Sequence, residues 1–325
     1  MLKGFVITPP VLGRISIGKV VERDGKRLPQ KDDQFTITTQ LQSREGWLMH
    51  PLDKQLREEQ SDKLRRIPVQ LPFNDPALNL RVEYALFDRE TARPLCVGDG
   101  EQCRRRTQEG MATLPCPGPD SCELAQGGHC KPFARLNVVI GEADPIGTFI
   151  YRTTGFNSIR TLAARLAYFS ALSKGLLACL PLELRLRGKS TRQSHGTPIY
   201  FVDLTLRDGV SLEEALKAAQ TLAAQRQSAG FDQAALDEAA RVGFSLGAFE
   251  EQEEDLPSVL EEFYPTAATE AEQVTDLTHP SEAQRPDALS TLRPAKPAQP
   301  VTPRATRTTR STPTTSTATR SASRH

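Results

Sequence analysis

At 325 residues the chain has room for one large domain or two ordinary ones. Its 41 basic and 40 acidic residues nearly cancel, so net charge singles out neither a nucleic acid nor a membrane surface as partner. No apolar run approaches the roughly 18 residues of a membrane span, and Pro9 and Pro10 break the short apolar opening, so a cytoplasmic protein without an export signal is expected.

Residues 1–95 read as the β-rich N-terminal part of a core. Alternating or β-branched runs recur at Gly13–Val21, Gln34–Leu41 and Leu78–Phe87. Turn-forming clusters separate them at Arg23-Asp24-Gly25, Lys31-Asp32-Asp33 and Asn74-Asp75-Pro76. In the third run Leu78, Leu80, Val82, Tyr84 and Leu86 share one face of a period-2 strand, while Asn79, Arg81 and Glu83 share the other. The expectation is a sheet with one dry face and one wet face.

Residues 96–135 hold five of the six cysteines: Cys96, Cys103, Cys116, Cys122 and Cys130. Gly and Pro are frequent here and large apolar side chains scarce. Burial alone therefore cannot offset an ordering cost of roughly 1–2 kcal/mol per residue. Four thiolates on one Zn2+ can, because apparent binding energies of about 10–16 kcal/mol go directly into folding. Cys96 ends an apolar-rich run and reads as a small core residue. Cys179 stands apart in the run Leu176–Leu182. Cys103, Cys116, Cys122 and Cys130 remain as the metal ligands, spaced C-x12-C-x5-C-x7-C.

His129 is a substitute ligand, and an iron–sulfur cluster is the alternative cofactor because it too takes four cysteines. Ordinary reduced thiols are the bland alternative, and disulfides fit worst without an export signal. A closed site of four sulfurs leaves no open position for water, so the zinc would be structural.

Residues 136–248 read as the α+β C-terminal part of the core. Strands are expected at Leu136–Ile140 and Gly147–Thr153. Ser158 can cap a helix to about Ser173, with Ile159, Leu162, Ala163, Leu166, Phe169 and Leu172 as its apolar stripe and Gly175 as its stop. Leu182–Lys189 and Ile199–Leu206 read as a strand pair. Ser211 with Glu214 forms a capping box for a helix to about Ser228, stopped by Gly230, and Asp232 opens another to about Val242.

Residues 249–325 change character, from an acidic linker to a basic tail. Residues 265–325 contain no aromatic side chain, and a stretch dominated by Thr, Ser, Pro, Ala and Arg reads as disordered. Within the acidic part Leu256, Val259, Leu260, Phe263 and Tyr264 fall at i, i+3, i+4, i+7 and i+8, with Asp255 as cap and Pro265 as stop. Such a short helix can dock in a partner's groove, or pack back on its own domain. The expected class is α+β: a β-rich core with an inserted four-cysteine metal loop, a few helices and a disordered C-terminal tail.

No catalytic constellation emerges. The five histidines are scattered, and there is no HExxH, Walker loop or nucleophile elbow. Neither enzyme activity nor a small-molecule substrate is expected, with a metal-dependent hydrolase as the residual option. Basic residues cluster at Arg104, Arg105, Arg106, Lys131 and Arg135, and again at Arg185, Arg187, Lys189 and Arg192. They can track phosphates, with binding that weakens as salt rises, or simply solvate a strand. Phe133, Tyr151 and Phe156 can stack on bases where exposed.

The succession of Cys130-Lys131-Pro132, Arg135-Leu136, Gly147-Thr-Phe-Ile and Arg152-Thr-Thr-Gly155-Phe-Asn-Ser-Ile159 resembles the recombination directionality factors that partner phage large serine integrases. Leu184-Arg-Leu-Arg-Gly188 and Phe201-Val-Asp-Leu are similar too, and the resemblance spans residues 12–207. Two departures stand out. Five residues separate Cys116 from Cys122 where the family pairing is tighter, and Arg104 follows Cys103 where the family has Asp.

The resemblance implies a non-enzymatic accessory protein of a phage or integrative element that binds a DNA-bound recombinase. It would bias which synaptic complex is stable through differential binding energy. The alternative is an accessory protein of a mobile element that binds single- or double-stranded DNA through its own basic surface.

Overall fold

Strand signals dominate the chain, and the computed structural model resolves them into two sheets. It describes residues 9–23, 26–43, 46–60, 63–141, 144, 146–190, 198–250, 259, 263 and 264. Contacts divide the chain into Met1–Thr278 and His279–His325, and every described residue lies in the first unit. The tail expected at 265–325 lies outside the described residues.

The first half contains β1 (Val11–Arg23), β2 (Lys26–Ser43), β3 (Gly46–Met49), α1 (Pro51–Glu59), β4 (Arg66–Val69), α2 (Pro76–Asn79) and β5 (Leu80–Phe87). Then come β6 (Pro94–Gly98), β7 (Gln102–Thr107), β8 (Gly110–Pro115), β9 (Lys131–Val138) and β10 (Thr148–Thr153). The rest is α3 (Phe156–Leu172), β11 (Leu182–Lys189), β12 (Ile199–Leu206), α4 (Leu212–Ser228) and α5 (Gln233–Gly243).

Nine strands form one sheet in the order β3-β2-β1-β10-β9-β5-β6-β7-β8, and β12-β11-β4 form a second. The β1–β10 pair runs parallel; the others are antiparallel. The chain is thus α+β and β-rich. The main core lies between the sheets and α3. Leu80, Leu136 and Phe149 of the large sheet meet Ile159, Leu162 and Leu166 of α3 and Leu182, Leu184, Val202 and Leu204 of the small one.

The local helix signals hold where side chains cap the backbone. The Ser211–Glu214 capping box forms, and Asp232 accepts from Ala235 N–H at the start of α5. Ser158 does not cap α3; Gly155 occupies that position. The Ser158 hydroxyl is buried instead and bridges Tyr151 Oη at 3.4 Å and Val202 N–H at 3.1 Å. A buried hydroxyl that ties β10, α3 and β12 together is more useful there than at an exposed helix end.

A buried carboxylate anchors α1 to the sheet. Asp53, only 3% exposed, accepts from Ile37 N–H at 2.8 Å and from Arg57 Nε at 2.6 Å. It also sits in the first turn of α1, where the helix dipole favours a negative charge. Deleting the carboxylate leaves the buried Ile37 N–H unsatisfied and takes one partner from Arg57, which still donates to Gln34 Oε1 and Phe35 O, so Asp53→Ala should cost about 2 kcal/mol in urea denaturation. A loss under about 0.5 kcal/mol, the size of a surface effect, would contradict this account.

The expected cysteine-bearing insertion is not a separate loop. β6, β7 and β8 form a meander that extends the nine-stranded sheet from β5 outward. Ladder hydrogen bonds supply what the apolar-poor sequence lacks, and the irregular part shrinks to the stretch between β8 and β9.

The expected wet face of β5 also needs correction. Cross-strand neighbours share a face. Arg81, Glu83, Ala85 and Phe87 of β5 lie with Arg135, Phe133 and Lys131 of β9 on the side away from the main core. Residues from the C-terminal end cover that side. The Phe263 ring sits 4.7 Å from Phe87 and 5.4 Å from Phe133. Lys131 Nζ donates to Phe263 O at 2.7 Å, and Tyr264 Oη donates to Phe87 O at 2.6 Å. Arg81 lies over the Phe244 ring, while Arg135 pairs with Glu83 and donates to Gly247 O at 2.8 Å. Polar residues at these positions face a cover whose carbonyls they satisfy.

Candidate functional site

The site is built on the β6–β7 ladder. Cys96 lies opposite Arg105, and Gly98 opposite Cys103, so all four share one face. Cys103 in turn faces Leu114 of β8, which carries the chain round to Cys116. The Cys116 N–H donates to Glu101 O at 2.9 Å, pinning the end of β8 over the β6–β7 turn. Cys122 begins a short 3-10 turn, and Cys130 immediately precedes β9.

Gly98 makes this approach possible. A Cβ there would lie 2.7 Å from Cys103 Cβ and 2.9 Å from Cys116 Sγ, closer than any side chain tolerates. Gly98→Val should therefore force the hairpin apart. The expected result is faster proteolysis within residues 96–130, with the thermal transition of the rest of the domain changed little. Wild-type protease resistance would contradict the packing described.

The five thiols are mutually close. Burial, then the neighbouring Cys96, Cys116, Cys122 and Cys103 sulfurs, push the Cys130 thiol up to about 12. Burial and then Cys96 push Cys103 up to about 11. As free thiols both stay protonated at neutral pH, and a bound cation would reverse that preference. Arg105 opposes the crowding: its Nη2 lies 3.9 Å from both Cys103 Sγ and Cys122 Sγ.

All six cysteines are described and none forms a disulfide. Cys96, read from sequence as a core residue, is half-buried and interacts with Cys103 and Arg105. Cys179 lies elsewhere, buried, with Arg226 Nη1 3.7 Å from its sulfur. His129 is exposed, with its ring 5.5 Å from that of Tyr264.

Among the described residues, no three His, Cys, Asp or Glu side chains stand in a ready-made metal-binding arrangement. The donor chemistry nonetheless fits a thiol-preferring ion such as Zn2+. Cysteine sulfurs crowd one another, the glycine cradle makes room for them, and a guanidinium is at hand to balance thiolate charge.

The structure separates the candidate basic residues. Arg104 lies over the Phe249 ring and Arg105 faces the sulfurs, leaving Arg106 exposed. Lys131 and Arg135 are buried beneath the C-terminal cover. Arg185 pairs with Glu183 and Asp208, Arg187 with Asp203, and Lys189 with Asn157. Arg192 lies outside the described residues. Of the aromatic residues considered for stacking, Phe133 and Tyr151 are buried and Phe156 is exposed.

The C-terminal motif is placed in part. Val259 and Phe263 are buried with Ala85, Phe87, Val97 and Phe133, and Tyr264 packs against them. Leu256 and Leu260 lie outside the described residues. Of the two readings of this motif, packing back on the domain is the arrangement seen. Among the described residues, no helix is long and apolar enough to cross a membrane.

A protein-family model described as Gp3-like, recombination directionality factor-like, matches residues 12–207. The match covers most of the nine-stranded sheet, the thiol cluster, α3 and the small sheet. No curated protein and no solved structure matches the chain.

Proposed function

The chain belongs to the Gp3-like, recombination directionality factor-like family, and from that membership we propose that it is a non-enzymatic accessory factor that binds a DNA-bound recombinase. The family match over 12–207 carries the proposal. Its effect is on equilibrium: by binding one recombinase assembly better than another, it shifts which synaptic complex persists, with no bond chemistry of its own. Cys103, Cys116, Cys122 and Cys130 hold a structural Zn2+ that fixes the outer edge of the sheet as a rigid platform for the partner. The ion's contribution is to draw separated turns together. The chain's contribution is the hairpin register and the glycine cradle that bring Cys103 and Cys116 together.

Ion pairing of Arg185 and Arg187, and burial of Lys131 and Arg135, favour a protein partner over bare DNA as the main contact. A gel-mobility titration tests this with the full chain, a phage large serine integrase and its attachment-site duplex. A supershift that needs recombinase is expected. Tight, steeply salt-dependent binding to the duplex alone would instead support a DNA-binding accessory protein.

A further inference from the structure

We propose that Cys96 is a fifth sulfur of the thiol site, sharing one donor position with Cys103, and that Arg105 is the positioning residue that holds the two in place. The inference rests on the zinc reading above and assigns residues which that reading leaves out.

The register makes the case. Cys96 faces Arg105 across the β6–β7 ladder, and Cys103 faces Gly98. Cys96 and Cys103 are therefore diagonal neighbours on one face, and diagonal pairs lie within reach of each other. Arg105 stands between them, directly opposite Cys96 and two residues along the same strand from Cys103. Its Nη2 is 3.9 Å from Cys103 Sγ and 3.9 Å from Cys122 Sγ, so it spans the cluster. Its Nε is enclosed and makes no hydrogen bond among the described residues. A guanidinium held this way has thiolate sulfur as its natural counter-charge, because four thiolates on Zn2+ carry a net charge that needs balancing nearby.

A four-coordinate ion leaves one of five sulfurs over. Cys116, Cys122 and Cys130 come from the irregular stretch between β8 and β9, each without a diagonal substitute on the ladder. Cys96 and Cys103 are the pair that can exchange.

The test uses the full chain and competition with a chromophoric zinc chelator. Cys96→Ser and Cys103→Ser should each retain one zinc with affinity within about tenfold of wild type, while the double variant loses at least 100-fold. Arg105→Met should weaken zinc about 10–100-fold, the range typical of residues that orient ligands, with Arg105→Lys recovering part of it. Loss of zinc from Cys103→Ser with Cys96→Ser unaffected would overturn the shared position. Unchanged affinity in Arg105→Met would overturn the role of Arg105. Wild-type chain that never takes up zinc would sink the underlying zinc reading itself, a result distinct from either.

Discussion

Cys130→Ser, or Cys116→Ser, should yield protein that aggregates on purification, while Cys179→Ser should behave as wild type. The two classes of cysteine differ in what depends on them. Cys116 and Cys130 bracket an irregular stretch that ladder hydrogen bonds do not hold. If a metal closes that stretch, its binding energy of about 10–16 kcal/mol is folding energy for the whole outer edge. That is comparable to the whole stability of a typical domain, about 5–15 kcal/mol, but it acts on the outer edge, on which the main core does not depend.

Losing it need not melt the main core. It should free β6, β7 and β8 and expose the edge of β5, a ready template for intermolecular pairing. Val97 and Phe87, buried in the second cluster, would then be uncovered. Cys179 sits in the main core with Arg226 beside its sulfur, so a hydroxyl in its place costs on the order of 1 kcal/mol. Solubility and size-exclusion profiles separate the two outcomes, and a soluble, monodisperse Cys130→Ser would contradict this dependence.

Ending the chain after residue 250 should destabilise it by several kcal/mol, whereas ending it after residue 270 should not. Val259 and Phe263 are buried in a cluster with Phe87 and Phe133. Removing a buried Phe side chain alone costs about 3–5 kcal/mol. The truncation also takes away the carbonyl that Lys131 Nζ donates to. Phe263→Ala in the full chain should reproduce most of the loss, and urea midpoints at equal slope measure both. A truncation at 250 as stable as the full chain would mean that the C-terminal cover contributes nothing.

These two results bear on how much the sequence shows by itself. β11 is legible because Leu182, Leu184 and Leu186 alternate with charged residues, β12 because its short run is rich in β-branched and aromatic residues, and α4 because its capping box is local chemistry. α1 goes unread, since Pro51–Glu59 is polar on most sides: Leu56 is buried, and Asp53 and Arg57 tie the helix to β2 through polar contacts that leave no apolar stripe in the sequence. β6, β7 and β8 are obscured by their Gly, Pro and Arg content; their pairing rests on backbone ladders that no side-chain period reports.

The same limit applies to β5. Arg81 and Glu83 look solvent-facing until the segment around Phe244 and Gly247 is seen to lie on them, just beyond the last helix that the sequence marks. In the thiol cluster the sequence singles out four cysteines by elimination and sets Cys96 aside, whereas the structure puts Cys96 beside Cys103 and Arg105. The available signal was Gly98: two residues on, a glycine on the same strand face makes room for neighbouring sulfurs.

Whether the chain biases recombination by binding is read most directly from a recombination reaction in which the full chain is titrated against a phage large serine integrase. Integrated and excised DNA are quantified at each ratio. The predicted result is a reversal of the favoured product that saturates near equivalence with recombinase and needs no further cofactor. An unchanged product ratio at every concentration, or a full effect from trace amounts of chain, would contradict it.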